Sequence, residues 1–142
     1  MPTKIAYSVT AIADGGRDGH SKTKNGALDL KMAPPKEMGG SGDGHNPEQL
    51  FAAGYAACYL GAMKFAASQD KSLIKVPDDA TVRATVGIGP REDMGFGLTV
   101  DLEVNFPGAD KSDVEAVAAA GHKICPYSHA TNGNITVTTT AA

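Results

Sequence analysis

The residues best suited to chemistry in this chain are two cysteines, because a thiolate is at once a nucleophile, a redox centre and a metal ligand. Cys58 stands in Gly54-Tyr55-Ala56-Ala57-Cys58-Tyr59, where small neighbours leave room for a ligand or a second helix, or serve only close packing. Cys125 stands in Ile124-Cys125-Pro126-Tyr127-Ser128. If Pro126 opens a helical turn, Cys125 caps it, and the free backbone N–H groups there favour a thiolate. The pair forms no Cys-x-x-Cys motif, so a bond between them would join distant parts of the chain. Two small buried packing residues are the alternative. His20, His45, His122 and His129 lack the spacing to a cysteine that zinc sites show. No spacing supports a Cys–His nucleophile pair either. Arg17 lies in a glycine-rich turn and Glu48 in the first turn of a helix. By themselves they read as a solvated arginine and an acid favoured by the helix dipole.

The elements that must position these residues follow from periodicity and punctuation. Residues 4–13 alternate, with Ile5, Tyr7, Val9 and Ala11 on one side, which predicts a strand with one buried face. Asp14 to Gly19 is a turn, and Leu28, Leu30 and Met32 mark another strand, ended by Pro34-Pro35. After a glycine-rich loop at 39–44, Asn46-Pro47-Glu48 reads as cap, first helical residue and first-turn acid. The helix is expected to reach about Ser68. Its apolar residues lie on nearly every face, which predicts a central, largely buried helix. Residues 80–89 and 96–106 alternate and form a hairpin about a turn at Pro90 to Gly95. A second helix starts at Asp110 or Ser112 and buries Val114, Val117, Ala118, Gly121 and Ile124. Ile135, Val137 and Thr139 make a last strand. Grouped strands and helices of this kind predict an α+β fold, and 142 residues suit a single domain over 1–142.

Composition narrows the function classes. The net charge is −3 with both signs scattered, so no basic stripe marks a nucleic-acid surface. Leu50 to Ala67 is the one stretch that resembles a membrane span, but Lys64 interrupts it and Ala and Gly dilute it. No charged segment followed by an apolar run opens the chain, so the expected location is the cytoplasm.

Asn46-Pro47-Glu48-Gln49-Leu50-Phe51-Ala52-Ala53-Gly54-Tyr55-Ala56-Ala57-Cys58 resembles the signature of the organic hydroperoxide resistance proteins, within the OsmC/Ohr superfamily. Ile124-Cys125-Pro126-Tyr127-Ser128 resembles their second cysteine motif, and Gly16-Arg17-Asp18-Gly19 the loop bearing their catalytic arginine. Lys36-Glu37-Met38-Gly39-Gly40 resembles the segment before their long helix. The resemblance implies antiparallel sheets around a long central helix, in an intertwined homodimer with two active sites at the subunit interface. It also implies a thiol peroxidase that prefers organic and fatty-acid hydroperoxides. Cys58 is then the attacking thiolate, and Cys125 its disulfide partner. Arg17 is the cation that stabilises the thiolate, and Glu48 holds Arg17. The resemblance further implies no bound cofactor or metal and, as electron donor, a dithiol, dihydrolipoamide, free or carried on lipoylated protein.

Two expectations follow for the geometry. Glu48 and Cys58 are ten residues apart on one helix, about 15 Å along an ideal axis. A compact site is easier if two chains contribute, so at least one of Arg17 and Glu48 is expected to reach a Cys58 across a subunit interface. Phe51, Tyr55, Tyr59, Met63 and Tyr127 are candidates for a pocket that takes a lipid-like tail, with plain core packing as the alternative for each.

Overall fold

The computed structural model describes residues 1–142, which divide into two compact units, Met1–Leu50 and Phe51–Ala142. In the first unit β1 (Ala11–Asp14), β2 (Gly19–Thr23) and β3 (Asp29–Met32) form an antiparallel sheet in chain order. The β1–β2 turn needs glycine. Gly15 has a φ of 64°, and a Cβ there would lie 2.5 Å from the carbonyl oxygen of Asp18. This turn carries Arg17. The backbone N–H of Ala33 donates to His45 (3.0 Å) and that of His45 to Lys31 (2.8 Å), which seats the chain beside β3 immediately before α1 (Pro47–Gln69).

The start of α1 is a reciprocal cap. The Gln49 backbone N–H donates to Asn46 Oδ1 (2.9 Å), and the Asn46 N–H donates to Gln49 Oε1 (3.1 Å). Pro47 lacks an N–H that the first turn would leave free in any case.

The expected strand over residues 4–13 shrinks to Ala11–Asp14, and it has no buried face: Ile5, Tyr7 and Val9 are 66%, 76% and 58% exposed. The cause is the lack of a partner. β2 is the only neighbour of β1 and ends at Thr23, and the last rung is Lys24 N–H to the Thr10 carbonyl at 2.8 Å.

The second unit is built on a three-stranded sheet of order β4 (Thr81–Arg91), β5 (Gly95–Asn105), β6 (Val137–Ala141). β4 and β5 are antiparallel, while β6 runs parallel to β5 from Val100↔Val137 to Val104↔Ala141. The hairpin is tighter than expected. Pro90 and Gly95 lie within the strands, leaving Glu92 to Met94 as the turn. α2 (Lys111–Ile124) and α3 (Pro126–Thr131) complete the unit.

Its core joins Tyr55, Tyr59, Ala62 and Met63 of α1 to Val100, Leu102 and Val104 of β5, Phe106, and Val114 and Val117 of α2. Burying a side chain of this size stabilises the fold by about 1.5–3 kcal/mol. Three expectations need correction. α1 is buried along one stripe rather than on most sides, with Leu50 and Phe65 exposed. It is long and apolar enough to cross a membrane, but its two buried tyrosines hold protein hydrogen bonds, as in a core helix. Phe96, the first apolar residue of the alternation expected over 96–106, is exposed, because burial along β5 begins at Val100. Ile124 is also exposed, since the backbone leaves the helix at Cys125 and turns away from the buried face.

Candidate active site

The two sulfurs meet beside the start of α3. Cys58 Sγ and Cys125 Sγ are 3.5 Å apart, and both are free thiols. A disulfide spans about 2.05 Å, so bonding them requires about 1.5 Å of closure. Cys58 comes from the middle of α1 and is partly exposed, whereas Cys125 has no exposed surface. Cys125 is the N-cap of α3, and its Sγ accepts the Ser128 backbone N–H at 3.4 Å. Pro126 at the first helical position is why the chain restarts there. The capping role expected from Cys125-Pro126 is therefore realised.

Burial pushes the Cys58 thiol above its ordinary value, and the nearby Cys125 sulfur pushes the same way. The Tyr127 backbone N–H, also at the start of α3, acts in the opposite direction. One short helix thus offers a backbone donor to each sulfur. The arrangement is suited to thiol chemistry in which one accessible sulfur reacts and a sealed one joins it.

In the first unit Arg17 and Glu48 form a bidentate pair. Nη1 donates to Oε2 at 2.8 Å and Nη2 to Oε1 at 2.7 Å. Hydrogen bonding to Arg17 holds the Glu48 carboxyl below its ordinary value, and the same contact raises Arg17. Neither residue is the isolated surface charge that each suggests alone. Both belong to the same chain.

The pocket candidates divide. Tyr59 and Met63 are sealed in the core, so they offer no wall to a ligand in this chain. Their positions on the α1 stripe that faces α2 explain this. Tyr55 is also buried, but Phe51 and Tyr127 keep exposed surface. Phe51, Tyr55 and Tyr127 form an aromatic cluster with ring centroids 5.7–5.9 Å apart. An open cleft of about 470 Å³ lies beside Tyr55 and His122, but neither cysteine lines it.

Sequence reasoning missed a partly buried polar network. His122 Nδ1 is 2.8 Å from Ser128 Oγ, and its Nε2 is 2.8 Å from Thr139 Oγ1. The Tyr55 hydroxyl is 3.0 Å from Ser128 Oγ and 3.2 Å from Thr131 Oγ1. Tyr59 stacks on the His122 ring at 4.4 Å and donates to the Ala118 carbonyl at 2.7 Å. Burial lowers the His122 pKa, so the ring is neutral at pH 7 and presents one donor and one acceptor to two hydroxyls. A signal was present: Val114, Ala118 and His122 lie four residues apart and share a helix face.

Comparison with known proteins places this geometry in a family. Residues 40–140 match the model of the OsmC-like proteins. An organic hydroperoxide resistance protein from Xanthomonas axonopodis pv. citri is 49% identical, over 99% of this chain and 98% of that protein. The organic hydroperoxide resistance protein OhrB of Bacillus subtilis superposes with a TM-score of 0.86 at 36% identity, over 97% of this chain and 100% of that one. One from Elizabethkingia anophelis superposes at 0.90 with 42% identity, over 99% of both chains. The chain belongs to the OsmC-like protein family.

Proposed function

We propose that this protein is a thiol peroxidase that reduces organic hydroperoxides to alcohols and so serves resistance to oxidative stress. The observation that carries the reading is the 3.5 Å approach of a partly exposed Cys58 to a buried Cys125 at the start of α3. The names of the relatives, organic hydroperoxide resistance proteins, support the substrate class.

In the proposed cycle the Cys58 thiolate attacks one peroxide oxygen. The O–O bond breaks, the alcohol leaves, and Cys58 becomes a sulfenic acid. The Cys125 thiol displaces that oxygen as water and forms the Cys58–Cys125 disulfide. A dithiol such as dihydrolipoamide, free or on lipoylated protein, then restores both thiols by exchange.

Burial disfavours the Cys58 thiolate, so the cycle needs a cation, and Arg17 held by Glu48 is the proposed one. Because Arg17 and Glu48 pair within one chain, whichever subunit provides one provides both. The proposed assembly is a homodimer, supported by the exposed apolar side chains of Ile5, Tyr7, Val9 and Phe65. The proposed location is the cytoplasm, where lipoylated proteins and other dithiols are available.

The test follows loss of an alkyl hydroperoxide in the presence of excess dihydrolipoamide, with hydrogen peroxide as second substrate. Many turnovers are expected, absent in Cys58→Ser. The alkyl substrate is favoured, since each buried CH₂ is worth about 0.8 kcal/mol. A single stoichiometric oxidation without recycling would replace the enzyme by a redox sensor.

A further inference from the structure

Disulfide formation requires two sulfurs on different elements to be held in register while one of them changes chemistry. α1 carries Cys58, and Cys125 sits at the α2–α3 junction. Covalent continuity does not fix their separation, because β4, β5 and α2 intervene in the chain.

One half-buried side chain connects these elements. His122 of α2 reaches Ser128 of α3 through Nδ1 and Thr139 of β6 through Nε2, and its ring stacks on Tyr59 of α1. Ser128 carries the contact onward in two directions. Its hydroxyl bonds Tyr55 of α1, three residues before Cys58, and its backbone N–H caps Cys125 Sγ. The Tyr55–Ser128 contact therefore lies one helical turn from each sulfur, with His122 behind it.

A neutral histidine between two hydroxyls leaves no polar atom in the group unpaired. No side-chain polar atom buried from solvent anywhere in the chain lacks a partner. Loss of His122 removes one of the two side-chain partners of the buried Ser128 hydroxyl, and an unmade bond at a buried polar group costs about 1–3 kcal/mol. The first place to relax is the six-residue α3, which is then left with the Tyr55 hydroxyl and the packing of Tyr127 on Phe51 and Tyr55 to hold it to α1.

We propose that His122 is a positioning residue for the disulfide-forming step: through Ser128 it holds Cys125 where it meets the oxidised Cys58. The proposal rests on the peroxidase reading. In the step concerned the Cys58 S–O bond breaks and the S–S bond forms. The oxygen departs as water with the thiol proton of Cys125. His122 touches neither sulfur and does not act on the peroxide. Its loss affects the second step and spares the first.

Rapid mixing of the reduced protein with one equivalent of an alkyl hydroperoxide, quenched with a sulfenate-trapping dione and read by mass spectrometry, separates the steps. In His122→Phe, which keeps a ring against Tyr59, Cys58 sulfenate is expected to form within about twofold of the wild-type rate, while the disulfide closes about tenfold or more slowly. Excess peroxide then drives Cys58 to sulfinic acid. His122→Asn, whose amide reaches Ser128 from the position of Nδ1, recovers most of the closure rate. Ser128→Ala repeats the defect without touching α2, and decides the matter if His122→Phe does not fold.

Closure at the wild-type rate in both His122→Phe and Ser128→Ala overturns the proposal. So does an Asn variant no better than Phe, or parallel slowing of both steps. If the wild-type protein forms no sulfenate at Cys58, the peroxidase reading itself has failed, and this proposal with it.

Discussion

The two units hold their reactive groups by opposite means. In Met1–Leu50 only Met32 and Ala33 are buried, and the Arg17–Glu48 pair is fixed by its own bidentate hydrogen bonds, a glycine turn and a helix cap. In Phe51–Ala142 the two sulfurs are fixed by a packed core and a partly buried polar network. Charge can be placed by local geometry near water, since a guanidinium and a carboxylate find each other without burial. Thiols bond weakly, so packing must set their distance. A lesion in the first unit should therefore cost chemistry before stability, and a packing lesion in the core of the second the reverse.

The largest effect that sharpens this contrast is expected from Arg17→Met. If Arg17 is the cation for the Cys58 thiolate, its loss leaves burial unopposed. The rate of Cys58 oxidation at neutral pH should fall by about 10- to 1,000-fold. Fewer thiolates at a given pH means that the pH–rate midpoint moves to the alkaline side, and the rate is regained as pH rises. The ion pair itself adds little to stability. Arg17 is 41% exposed, and solvent screening limits such pairs to about 1 kcal/mol or less. The folded-state pKa of Glu48 lies below its ordinary 4.5, so this contribution is present above that value and is lost only as pH falls through the lowered one. Melting curves of wild type and Arg17→Met at neutral pH should nearly coincide. An unchanged pH–rate profile would remove Arg17 from the chemistry.

The opposite pattern is expected from Gly121→Ala. A Cβ there would lie 2.5 Å from Met63 Cγ, 3.2 Å from Tyr59 Cε2 and 3.4 Å from Met63 Cα. The two helices cannot separate without opening the core. Overpacking of this kind costs about 1–3 kcal/mol, against a helix-propensity gain of about 1 kcal/mol from replacing glycine. The melting temperature should fall by several degrees, about 2–4 °C per kcal/mol at this size. Activity should follow the folded fraction. A variant as stable as wild type would show that α1 and α2 are less rigidly packed than the contrast requires.

What the sequence disclosed divides along the same line. The caps at Asn46-Pro47 and Cys125-Pro126 were legible because capping depends on two or three consecutive residues. The alternation of β4 and β5 was legible for the same reason. The pairing of Arg17 with Glu48 was not, since 31 residues separate them and either alone reads as a surface charge; only the resemblance joined them. The His122 network was also hidden, because Ser128, Thr139 and Tyr55 come from three other elements. At Ile5, Tyr7 and Val9 the periodicity is real, but no strand of this chain is left to cover them. Periodicity states that a face is apolar and does not state which chain buries it.

The smallest expected effect tests the boundary between the two modes. Asn46 belongs to the first unit, yet it caps the helix that carries both Glu48 and Cys58. Asn46→Ala removes the acceptor for the Gln49 N–H and should cost about 1 kcal/mol, a shift of about 2–4 °C in melting temperature. Glu48 lies in the frayed turn, so Arg17 loses some of its fixed partner. Turnover is expected to drop by no more than about threefold, because the bidentate pair can re-form once the turn closes. Asn46→Ser restores an oxygen at the cap and should recover both quantities. If Ser and Ala behave alike, the cap is not what orders the turn. If turnover collapses while the melting temperature holds, Glu48 is positioned by Asn46 itself rather than by its own contact with Arg17.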